Sequence, residues 1–149
     1  MKCRIPFLAT VFGAVAMFFN TGCSVEAKQP VLKHSKWVCV KEMFVADVGT
    51  GKDTHTIEFT SAKECNYTMS WYLPPHSGMY VNPDGSIDKF PATESESVYK
   101  GTWKYRHGVL TITLEDGRER IFDYKDGKLV GLKRYDDGTE MVFEKSVAQ

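Results

Sequence analysis

The chain has 149 residues, with 19 Lys plus Arg against 19 Asp plus Glu and no net charge at neutral pH. That length suits one domain, and the charge balance leaves no field to gather nucleic acid, so a nucleic-acid partner is disfavoured. Hydrophobic residues make up 42% of the chain, an ordinary globular share that argues against a disordered or low-complexity polymer.

Residues 1–22 read as a signal peptide. Lys2 and Arg4 give a basic start, and Ile5 to Phe19 is an apolar run of 15 residues. Such a run falls short of the ~20 residues that span a bilayer, and it has the layout of a secretory leader. Asn20-Thr21-Gly22-Cys23-Ser24 follows and resembles the lipobox of bacterial lipoproteins. The resemblance implies cleavage before Cys23 and lipidation of its sulfur by palmitate-like chains. It also implies a membrane partner through that anchor, with Ser24 pointing to the outer membrane, facing the periplasm or the surface. Asn20 departs from the apolar residue, usually Leu, expected there. A cut after Ala27, in Val25-Glu26-Ala27, is the alternative and would release a soluble periplasmic or secreted protein. Either way the domain leaves the cytoplasm for the cell envelope or beyond.

Residues 23–34 form a polar tether containing Pro30, and residues 35–146 the folded domain. Lys36 to Val45 reads as a first strand. Asp47 to Asp53 is a Gly-rich turn whose glycine spacing does not match a phosphate loop. Thr54 to Thr60 alternates, with Ile57 and Phe59 on one face. Cys65 to Leu73 is an aromatic-rich strand placing Tyr67, Met69 and Trp71 together at period two. Pro74-Pro75 ends it, Ser77 to Val81 is a short strand, and Asn82-Pro83-Asp84-Gly85 is a turn. Ser86 to Ser97, with Pro91 and the acidic Glu94-Ser95-Glu96, reads as the longest loop.

Val98 to Lys145 is a ladder of five strands. Turn signals separate them at Arg106-His107-Gly108, Asp116-Gly117, Asp126-Gly127 and Asp136-Asp137-Gly138. An Asp-Gly pair between alternating apolar residues marks a type I′ hairpin, in which both central residues need positive φ. The alternation groups Leu110, Ile112 and Leu114, then Phe122 and Tyr124, then Leu132, then Met141 and Phe143. The expected fold is all-β: an antiparallel meander of eight to nine strands that hides its edges by closing into a small barrel. A barrel of that size is filled by side chains or holds one small ligand.

Cys39 and Cys65 are the two cysteines left in the domain. In an oxidising compartment such a pair raises the expectation of a disulfide. The loop of about 26 residues would contribute ~3 kcal/mol in the chain-entropy model. Two buried free thiols are the alternative. No Cys-x-x-Cys occurs, His34, His55, His76 and His107 are scattered without ligand spacing, and the methionines read as core, so no metal and no cofactor are expected. The aspartates at the turns serve backbone geometry rather than proton transfer. With no nucleophile motif, an enzyme is not expected.

Trp37 opening the first strand, the Gly101-Thr102-Trp103 step, the Leu110 to Leu114 strand and the repeated Asp-Gly rhythm resemble the lipocalin-like (calycin-type) barrels of NlpE-type envelope lipoproteins. They also resemble lipocalin-like lipoproteins of the Bacteroides group. The resemblance implies a non-enzymatic envelope protein binding a small hydrophobic ligand or a protein partner, with Trp37, Tyr67, Trp71, Tyr80 and Trp103 as the aromatic lining. The Cys-x-x-Cys that NlpE-type proteins associate with copper is absent from this sequence, so a copper role is not carried over. Ser77-Gly78-Met79-Tyr80, with Lys100-Gly101 downstream, resembles the loops of periplasmic lysozyme inhibitors, although the Tyr stands one position early. This second resemblance implies a hydrolase inhibitor or interaction module acting through Ser77 to Tyr80.

Overall fold

A computed structural model describes residues 30–147. The signal peptide, Cys23, both candidate cleavage points and residues 23–29 of the tether lie outside the described residues. Ten strands follow in order: β1 Lys36–Val45, β2 Gly49–Phe59, β3 Glu64–Leu73, β4 His76–Val81, β5 Ile87–Phe90, β6 Thr93–Arg106, β7 Val109–Leu114, β8 Glu119–Lys125, β9 Lys128–Arg134 and β10 Glu140–Lys145. Eight of them close an antiparallel barrel in the order β1-β10-β9-β8-β7-β6-β3-β2, and β4 pairs with β5 as a separate hairpin. The fold is therefore the all-β closed meander expected, with one hairpin inserted between β3 and β6.

Two boundaries differ from the sequence reading. The segment read as a Gly-rich turn is mostly strand: Gly49 to Asp53 pairs with Val45 to Lys41, leaving only a short turn with Asp47 at φ 62°. Glycine suits that strand because a Cβ at Gly51 would meet the Tyr72 carbonyl oxygen at 3.1 Å. The segment read as the longest loop holds β5 and the first five residues of the fourteen-residue β6. Its exposed Glu94 and Glu96 look like loop residues but decorate a strand that pairs with β3 from Leu73 to Glu64.

Period-two alternation sorts the barrel interior into rows. Phe59, Cys65, Gly101 and Leu114 share one level, and Trp37, Ile57, Tyr67 and Tyr99 the next. Above them lie Cys39, His55, Met69 and Ser97, then Lys41, Asp53, Trp71 and Ser95. The lower rows, with Leu110, Ile112, Phe122, Leu129 and Phe143 from the ladder, form a continuous buried core. Leu132 does not join it: Leu129 and Gly131 point inward, so parity turns Leu132 to solvent.

The floor of the barrel is closed. Trp103 packs edge-on against Phe59 at 5.1 Å and donates its indole N–H to the Ser61 carbonyl at 3.2 Å. Leu32 is buried there too, and Trp37 donates to Ser35 Oγ at 2.8 Å. The opposite end is open, because β1, β2, β3 and β6 outgrow the strands beside them. β7 pairs with β6 only from Arg106 to Gly101, and β10 pairs with β1 only at Trp37 and Val38.

The two cysteines do not bridge; both are buried free thiols. Cys39 lies opposite His55 and Cys65 opposite Phe59, so β2 stands between their strands. Two strand spacings and a four-residue offset along β2 put the Cα atoms on the order of 15 Å apart, against the ~7 Å a disulfide tolerates.

Candidate functional site: the barrel mouth

A cavity of about 470 Å3 lies at the open end, above the filled core. β2 supplies Asp53 and His55, β3 supplies Tyr67 and Met69, and β8 supplies Arg120 and Phe122. Gly131 on β9, Tyr135 after it and Met141 on β10 complete the wall. Each inward side chain follows from strand parity. His55 shares its phase with the buried Ile57 and Phe59, and Arg120 shares its phase with the buried Phe122. Gly131 contributes no side chain, so the cavity keeps the space that any other residue would enter.

His55 organises the polar floor. Its Nδ1 lies 3.0 Å from the Tyr67 hydroxyl and its Nε2 lies 3.3 Å from Asp53 Oδ2. A carboxylate only accepts, so in the neutral ring Nε2–H donates to Asp53 and Nδ1 accepts from Tyr67 O–H. Burial pushes the Tyr67 hydroxyl up to about 12, with the Arg120 guanidinium pulling the other way. That guanidinium sits 5.8 Å from the centre of the Tyr67 ring. On the other wall, the Tyr135 hydroxyl lies 3.6 Å from Cys39 Sγ, and the Lys41 ammonium sits 4.3 Å over the Tyr135 ring. Lys41 also pairs with Asp137 in the β9–β10 turn and holds its carboxyl well below the usual range.

The register brings Cys39 opposite His55, an adjacency that no sequence spacing announced. It is not the arrangement of an activated nucleophile. Both His55 nitrogens are already engaged with Tyr67 and Asp53, and burial pushes the Cys39 thiol up rather than down. Among the described residues, no group of three or more His, Cys, Asp or Glu is placed to hold a metal ion.

Of the five aromatic residues expected to line a ligand site, only Tyr67 reaches the cavity. Trp37 is core and Trp103 seals the floor. Trp71 lies one row higher, half-buried, between Asp53 and Ser95. Tyr80 stands outside the barrel on the β4–β5 hairpin, 81% exposed. Asp53, His55, Arg120 and Tyr135 are not singled out by sequence: the histidines carry no metal-ligand spacing, and Asp53 and Tyr135 fall beside turn signals. No family model, curated protein or solved structure matches the chain.

Proposed function

We propose that this is an exported, lipid-anchored, non-enzymatic envelope protein with a lipocalin-like barrel, and that it binds a small hydrophobic ligand at the barrel mouth. The observation that carries the reading is the cavity. Its volume of about 470 Å3 falls within the ~300–1,000 Å3 of small-molecule pockets, and it lies directly above the buried core. Met69, Phe122 and Met141 offer apolar surface beside a few convergent polar groups, the usual composition of such sites. The basic start, apolar run and Thr21-Gly22-Cys23 support export and anchoring.

Titration with the neutral probe N-phenyl-1-naphthylamine tests the ligand reading. One molecule should bind per chain, and Met69→Asp should weaken it by about tenfold or more with unchanged circular dichroism, since a new carboxylate would be desolvated by the probe. Unchanged affinity in that variant removes the mouth as the site. For the anchor, Cys23→Ala should move the protein from the membrane to the soluble fraction, and an unchanged partition refutes lipidation there.

A second reading, an inhibitor or interaction module, rests on the hairpin. Met79, Tyr80 and Val81 on β4 are exposed together, beside Ile87 and Phe90 on β5. Loss of a partner on Tyr80→Ala, with probe binding intact, would favour it.

A further inference from the structure

The cavity holds a cation that no carboxylate among the described residues contacts. Arg118 pairs with Asp116 at 2.5 Å and Arg134 with Glu140 at 3.0 Å, so both rim arginines are satisfied. Lys133 stands exposed at the rim. Arg120 is different. It lies opposite Ile112 in a register that points it into the barrel, half-buried, over the Tyr67 ring. Among the described residues, no carboxylate oxygen comes within 4.0 Å of its guanidinium. Asp53 accepts from His55 and Asp116 pairs with Arg118, while Glu119 and Asp136, the other carboxylates of the cavity wall, lie beyond 4.0 Å of the guanidinium. A half-buried guanidinium beside Met69, Phe122 and Met141 is costly unless an anion meets it, and Tyr67, through its ring face and its hydroxyl, supplies only part of that compensation.

Building on the small-ligand reading, we propose that the cavity takes a monoanionic amphiphile, its carboxylate seated on Arg120 and its chain lying along Met69, Phe122 and Met141. The guanidinium fork matches a carboxylate in two parallel hydrogen bonds. A single negative charge neutralises Arg120. A dianionic phosphate would leave excess charge facing Asp53, Glu119 and Asp136 in the cavity wall, which selects the carboxylate.

The test compares dodecanoate with 1-dodecanol, the same chain without the charge, by calorimetric titration of the purified protein. The wild type should bind dodecanoate about tenfold more tightly or better. Arg120→Gln should abolish that preference by weakening dodecanoate far more than dodecanol, and Arg120→Lys should keep part of it. Asp53→Asn should strengthen dodecanoate binding by removing a like charge. Dodecyl phosphate should bind more weakly than dodecanoate. Equal affinities in the wild type, or a preference that survives Arg120→Gln, overturn the carboxylate seat and leave the apolar pocket standing. Binding of neither probe overturns the small-ligand reading as well.

Discussion

Tyr67 and His55 show how one buried hydrogen bond can hold a mouth in shape. Tyr67→Phe removes the hydroxyl that lies 3.0 Å from His55 Nδ1 and leaves that nitrogen without a donor. A cost of about 1–3 kcal/mol is expected, read as a lower urea midpoint at unchanged slope. Burial also sets the alkaline limit. The folded state pushes Cys65 up to about 11 and Tyr67 up to about 12, from 9.0 and 10.0. The unfolded chain therefore releases these protons first as pH rises, and stability falls. The contribution should be whole below about pH 9 and lost progressively through pH 11 to 12. Urea midpoints should drop between pH 8.5 and 10.5, and Cys65→Ala should flatten the first part of that fall; a level profile would contradict the assignment. These residues were partly legible in the sequence. Parity with Ile57 and Phe59 already puts His55 inside, and parity with Phe122 puts Arg120 inside. What sequence could not show is that register sets His55 beside Tyr67, since pairing across strands depends on where β2 begins.

The turns separate into two designs that the shared Asp-Gly signal conceals. His107-Gly108 and Asp126-Gly127 have positive φ at both central residues, as type I′ hairpins require. At Asp116-Gly117 and Asp137-Gly138 only the glycine is left-handed. There the amide of Gly117 donates to Leu114 O at 2.9 Å and the amide of Gly138 to Tyr135 O at 2.8 Å, closing a type I turn before a glycine bulge. Each aspartate accepts the amide two residues on: Asp116 from Arg118 at 3.0 Å and Asp137 from Thr139 at 2.9 Å. Asp84 does the same for Ser86 at 2.9 Å in the hairpin outside the barrel. So the dipeptide announced a turn correctly but not its type, which depends on how many residues separate the paired strands. Glycine matters here for two distinct reasons. Gly117→Ala strains only a left-handed φ of 83° in open space, so a loss of about 1 kcal/mol is expected, less with Asn. Gly101→Ala would drive a Cβ to 2.9 Å from the Thr113 carbonyl oxygen, forcing β7 away from β6. It should cost more, about 1–3 kcal/mol, and paired urea titrations that rank the two variants the other way would refute the distinction.

The whole molecule has a polarity that bears on how a ligand reaches it. Leu32 and Ser35 enter at the closed floor, where the Ser35 amide donates to the Leu32 carbonyl at 3.0 Å and the His34 amide to Phe59 O at 2.9 Å. The cavity lies at the other end, up the ten-residue β1 and the long β6. On the proposed anchor, the chain from Cys23 to Pro30 can reach at most ~25 Å when fully extended, while a strand of that length rises ~33 Å. The floor is thus held near the bilayer, and the mouth meets the membrane only if the barrel lies on its side. A ligand would then enter from the aqueous side. Dyes placed singly at Asp126→Cys, in the β8–β9 turn beside the floor, and at Asp136→Cys, in the turn at the mouth, would report this against an acceptor in the bilayer. The buried Cys39 and Cys65 should stay unlabelled in the folded protein. Energy transfer should be distinctly higher from position 126. Equal transfer from both would show that the anchored barrel lies flat or swings without preference, and access from the lipid side would replace access from water.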